Sequence, residues 1–197
     1  MTETVRAGDA LIPELQGYRD RLAAVREDAA ALVGGLSDAQ LLWCPAPGRW
    51  SIAECLDHLA TNALLMLPRL DEAIRQARER GMLGQGPFRY GMMGRWFTRV
   101  LESPPEKVQA KSPKMFLPAR GLVPAEAVRR FEKAQGDLTA LLARANGIDL
   151  GRAKAASPAM RLMRFSVGAW LAITVAHEER HLRQAHRVRE DARFPTA

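Results

Sequence analysis

The sequence predicts an all-α fold, a four-helix bundle with a long crossover connection. Three observations point there. Apolar residues recur at steps of three and four over four long segments. Credible period-two alternation is absent, so no strand is expected. A Pro-rich stretch in mid-chain separates two helices that must still reach each other, which a bundle with one long connection accommodates. At 197 residues, 47% apolar and 26% charged, the chain is expected to form a single domain over 1–197, with a core of ordinary size.

The first helix is expected over 10–34, with Leu11, Leu15, Tyr18, Leu22, Val25, Ala29 and Leu32 as one stripe. Gly34 and Gly35 stop it. Ser37 caps a short turn through Leu41, Leu42 and Trp43, which Pro45 and Pro47 prevent from continuing. The next helix start is the best marked. Ser51 followed by Glu54 makes a capping box, in which each side chain satisfies a backbone donor, and Trp50 is placed to staple onto Cys55. That helix should run from Ile52 to about Arg80, with Pro68 as a kink site.

Met92 to Leu101 suggests a short helix, and Pro104, Pro105, Pro113 and Pro118 an extended connection, expected to be functional itself or to cover a pocket. Pro124 opens a helix to about Ala145. A last helix is expected from Pro158 to about Asp191.

The four histidines are His58, His177, His181 and His186. His177 and His181 are one helical turn apart, so both rings can reach one ion at the ~2.0–2.1 Å of a zinc–nitrogen bond. The uncharged run Trp170 to Ala176 turns that face inward, where neutral imidazoles need partners. The string His177-Glu-Glu-Arg-His181 satisfies H-E-x-x-H, with Glu178 as the general base of a metalloprotease. That reading fails: Gln184 and Arg187 stand where the extended motif needs Gly and His, and only sixteen residues follow His181.

His58, two turns into the capped helix, is the candidate third ligand. Three ligands leave a position open for water or substrate. The competing bland reading is a surface histidine pair and an unrelated helical His58. His186 falls on another face and is expected to be exposed. Cys55, one turn before His58, is either a soft fourth ligand or a small core residue. Glu178 and Glu179 read as surface groups or as partners that orient an imidazole. The ligand set suits zinc, nickel or iron.

Net charge is +7, but the basic residues are spread along the chain and lack an aromatic platform on the last helix. Nucleic acid is therefore not the expected partner. No stretch is long and apolar enough to span a membrane, and no membrane partner is expected. The N-terminal stretch lacks a signal peptide's apolar core, so a cytoplasmic protein with Cys44 and Cys55 as free thiols is expected.

Trp50-Ser-Ile-Ala-Glu-Cys-Leu-Asp-His58-Leu59 resembles the W-S-x-x-E-x-x-x-H-L signature of the DinB-like (damage-inducible) superfamily. His177-Glu-Glu-Arg-His181-Leu-Arg-Gln184 resembles its second signature, H-x-x-R-H-x-x-Q, and the similarity covers roughly residues 20 to 190. The resemblance implies a metal held by His58, His177 and His181. Relatives include S-transferases and isomerases that use a low-molecular-weight thiol such as mycothiol or bacillithiol. The Pro-rich stretch 102–118 departs from the smallest members. The function expected is therefore a metal-dependent enzyme activating a thiol or water, as a thiol-dependent transferase or a hydrolase acting on a small-molecule substrate. The alternative is a metal-stabilised binding or sensor module without turnover. A homodimer is expected from the resemblance and the long crossover.

Overall fold

A computed structural model describes residues 10–103 and 112–196. Four long helices carry it: α1 (Pro13–Val33), α3 (Ile52–Glu79), α5 (Pro124–Ala145) and α6 (Val167–Arg189), with the short α2 (Asp38–Leu42) and α4 (Met92–Glu102) between them. Both expected caps form. Ser51 accepts from the Glu54 amide while Glu54 reaches back to the Ser51 amide, and Ser37 and Gln40 repeat the pattern on α2. Helix α3 passes through Pro68 without ending.

Side-chain pairings fix the helix directions. Arg21 meets Glu179, Asp28 meets His186, and the Leu32 carbonyl meets Arg189. The partners advance together, so α1 and α6 run parallel. Asp57 with Arg130 and Asp71 with Arg144 show the same of α3 and α5. The core shows that the two pairs oppose each other. Ile52, Leu56 and Leu59 near the start of α3 pack with Leu182, Ala185 and Val188 near the end of α6. Leu70 and Ile74 lie in a second cluster with Val167 and Leu171.

A chain leaving α3 must therefore travel back along the bundle before α5 can begin, a distance of about 40 Å for a helix of this length. Helix α4 makes much of that return along α6. Gly94 faces Ala169, where an added Cβ would sit 2.9 Å from the alanine methyl, and Arg180 donates to the carbonyl of Ser103 at 2.9 Å. Residues 112–123 complete the described return, with a 3₁₀ turn at Lys114–Phe116 between Pro113 and Pro118. Pro104 and Pro105 lie outside the described residues.

Two expectations are corrected. The last helix begins at Val167, not Pro158, and an antiparallel hairpin precedes it: β1 (Lys154–Ala156) pairs with β2 (Arg164–Ser166). Ser157 and Pro158 look like a helix start, but the Ser157 amide bonds the Met163 carbonyl and closes the hairpin. Ser166 is the true cap, its hydroxyl accepting from the Ala169 amide. Three-residue strands are too short for alternation to register.

Gly168, in the first turn of α6, lies under the ring of Tyr90, and a Cβ there would overlap the phenol. The phenol is fixed, because Tyr90 and Tyr18 both donate to Glu14. Gly168→Ala should thus destabilise the fold by ~1–3 kcal/mol through overpacking, against the gain of up to ~1 kcal/mol that Gly→Ala normally gives in a helix. Urea unfolding decides the sign, and a stabilised variant would refute the contact.

Candidate metal centre

The capped start of α3 sets the position of His58, and α6 presents His177 and His181 to it. His58 is buried, while the other two rings keep some exposure. One ring nitrogen from each falls within 4.8 Å of the others, and the His58 and His177 Nε2 atoms are 3.1 Å apart. Two nitrogens sharing a tetrahedral zinc at ~2.0–2.1 Å are separated by about 3.4 Å, so the spacing suits a shared ion. Among the described residues this is the one group of His, Cys and acidic side chains whose ligand atoms converge so closely.

The outer partners decide which nitrogen is bare. His58 Nδ1 lies 2.6 Å from the carbonyl of Phe116, an acceptor only, so Nδ1 carries the proton and the Nε2 lone pair faces the centre. His181 Nδ1 lies 3.1 Å from Gln184 Oε1 and takes the same tautomer, with the amide oriented by that bond. A ring set whose outer nitrogens donate, and whose inner nitrogens carry lone pairs, fits a cation.

Trp50 forms an aromatic wall. Its ring centroid is 4.7 Å from that of His58 and 5.5 Å from that of His181. The sequence assigned Trp50 only to a staple on Cys55. The crossover supplies the roof. Beside the Phe116 carbonyl, the Ala119 amide donates at 2.9 Å to Asp57, whose other oxygen takes Arg130. Sequence reasoning missed this pair. Its one visible signal was an acid immediately before His58 in the sequence; the Phe116 carbonyl has no side-chain signature at all.

Other candidates are placed elsewhere. His186 is partly exposed and bonds Asp28 at 2.9 Å. Cys55 is fully buried in the core, where burial pushes its thiol pKa up. Cys44 is exposed, and no disulfide joins the two. Glu179 pairs with Arg21 through both oxygens, at 2.7 and 2.8 Å. Glu178 turns into the bundle and accepts from Gln135 at 2.7 Å, so it does not occupy a general base's place beside the imidazoles.

A profile of the DinB superfamily matches residues 21–185. The chain belongs to the DinB superfamily. Among solved structures this DinB-superfamily chain is similar to YfiT from Bacillus subtilis, described as a probable metal-dependent hydrolase with an unusual four-helix bundle topology. The two are 14% identical with a TM-score of 0.59, over 99% of this chain and 94% of YfiT. At that identity the likeness establishes the fold. No curated protein matches the sequence significantly.

Burial sets the electrostatics of the DinB-superfamily centre. It lowers the pKa of all three imidazoles, that of His177 to about 3, and neighbouring rings and Arg180 lower those of His177 and His181 further. The rings are thus neutral at pH 7, as ligands must be. Glu178 moves the other way, raised by burial to about 8. Gln135, which donates to it through Nε2, has its Oε1 buried without a partner among the described residues.

Between pH 4.5 and 8 the folded chain holds the Glu178 proton while the unfolded chain releases it. Stability from this group is therefore present below pH 4.5 and is lost as pH rises through 8, by up to ~1.4 kcal/mol per pH unit. Glu178→Gln should flatten that slope in metal-free protein. Parallel pH profiles for wild type and variant would show that the carboxyl stays ionised.

Proposed function

We propose that this chain is a metal-dependent enzyme in which His58, His177 and His181 hold a divalent zinc, nickel or iron ion with one position open. The observation that carries the proposal is the convergence of three neutral imidazoles, from two antiparallel helices, within 4.8 Å. When bound, such an ion acts as a Lewis acid, bringing the pKa of a thiol or water toward neutrality.

The residues around the centre have separate tasks. Phe116 and Gln184 orient His58 and His181 through their outer nitrogens. Trp50 lines the rings and excludes water from one side. Asp57 and Arg130 hold the crossover against α3, so that the Phe116 carbonyl stays in reach. The substrate is a small molecule. The reaction is transfer to or from a low-molecular-weight thiol, as family resemblance implies, or hydrolysis, the activity ascribed to YfiT. The protein acts in the cytoplasm as a homodimer.

Metal content of purified protein tests the centre. Wild type should take up one divalent ion per chain, His58→Ala and His181→Ala should lose more than ~100-fold in affinity, and His186→Ala should be unchanged. Wild type with no useful affinity for any divalent metal would sink the proposal. The loaded protein is then offered small thiols with a panel of electrophiles. Turnover needing both thiol and metal marks a transferase, turnover with water alone a hydrolase, and tight binding without turnover a sensor.

A further inference from the structure

Helix α4 and the β1–β2 hairpin present large apolar side chains to solvent. On α4, Met92 is 80% exposed, Met93 61% and Trp96 58%; at the hairpin tip, Leu162 is 97% exposed and Met160 54%. The two elements are neighbours, since the Phe97 and Phe165 ring centroids are 5.8 Å apart. Soluble surfaces seldom collect this much apolar area without a partner.

The charges around these residues share one sign. Arg89, Arg95 and Arg99 flank the α4 residues, and Arg161 and Arg164 flank Leu162; all five are exposed and make no ion pair among the described residues. The nearest acid on α4 is Glu102, which already faces Arg21 at 3.9 Å. Elsewhere on the chain some exposed arginines pair, as Arg75 does with Glu72 and Glu79 and Arg144 with Asp71, while others such as Arg26 and Arg69 do not among the described residues. Five cations that no acid pairs among the described residues thus surround the apolar side chains of this face.

We propose that this face docks the protein peripherally on an anionic lipid surface, with Met92, Met93, Trp96 and Leu162 entering the interface and the arginines meeting the headgroups. Charge complementarity selects this occupant. A second copy of the chain would bring the same five cations against themselves in a two-fold contact. A basic face with Trp, Met and Leu on protruding positions has the composition of an interfacial anchor, in which apolar burial and headgroup attraction act together. Nothing in this arrangement spans a bilayer, and among the described residues no helix is long and apolar enough to do so. Surface docking thus departs from the expectation of no membrane partner without requiring a spanning segment.

Vesicle flotation tests the proposal, using phosphatidylcholine alone and an equal mixture with phosphatidylglycerol, at low salt and at ~150 mM. Wild type should float with the anionic vesicles only, more weakly at the higher salt, with a blue shift of tryptophan emission. Arg95→Glu with Arg99→Glu should reduce partitioning about tenfold or more. Trp96→Ser with Leu162→Ser should abolish the blue shift and the salt-resistant part of binding. These side chains are exposed, so urea midpoints should match wild type and separate lost docking from lost fold. Failure to float with anionic vesicles, or equal flotation with neutral ones, would overturn the proposal. So would a wild-type dimer that the Trp96/Leu162 variant dissolves, which would assign the face to a second copy. Tighter binding to polyglutamate than to the vesicles would assign it to an acidic polypeptide.

Discussion

The parallel course of α3 and α5 is the constraint on which the rest of the structure depends. Consecutive helices that run antiparallel need a few residues between them; parallel ones need a connection as long as the bundle. This chain uses residues 80–123 for that purpose. The return leg runs along α6 and then over α3, the two helices that carry the histidines. Its path is held by backbone as much as by side chains: Arg180 takes the Ser103 carbonyl, His58 the Phe116 carbonyl, and Asp57 the Ala119 amide. Topology thereby delivers a hydrogen-bond acceptor to the outer nitrogen of His58, a group no bundle helix could offer from its own satisfied backbone.

Burial has opposite consequences for the acids and bases nearby. It keeps the imidazoles neutral and available, and raises the pKa of Glu178 one residue from His177. Asp57 is fully buried beside them but accepts from Arg130 and the Ala119 amide, the pairing that makes a buried carboxylate tolerable. Such pairs add little net stability, while removing one partner is costly. Their contribution here is positional: the Asp57–Arg130 pair joins α3, α5 and the crossover at the level of His58.

The parts of the fold set by local chemistry were legible in the sequence. The reciprocal caps at Ser37 and Ser51 formed, Leu15, Leu22, Val25, Ala29 and Leu32 of the α1 stripe are buried, and the two histidine segments met across the bundle. The errors arose where a distant partner decided a local choice. Ser157-Pro158 has a helix start's chemistry, but pairing across the hairpin claimed the Ser157 amide and moved the start to Val167. Trp50 reads as a staple because the sequence shows its neighbours along the chain and not the imidazoles it meets. Phe116 contributes a main-chain carbonyl, which any residue would carry.

X-ray absorption at the metal edge of the cobalt- or nickel-loaded protein tests the central claim most directly, because it counts the imidazoles around the ion. The account predicts three imidazole ligands in wild type and two in His58→Ala reloaded at high metal concentration. A spectrum with one or no imidazole in wild type, or one unchanged by His58→Ala, would contradict it.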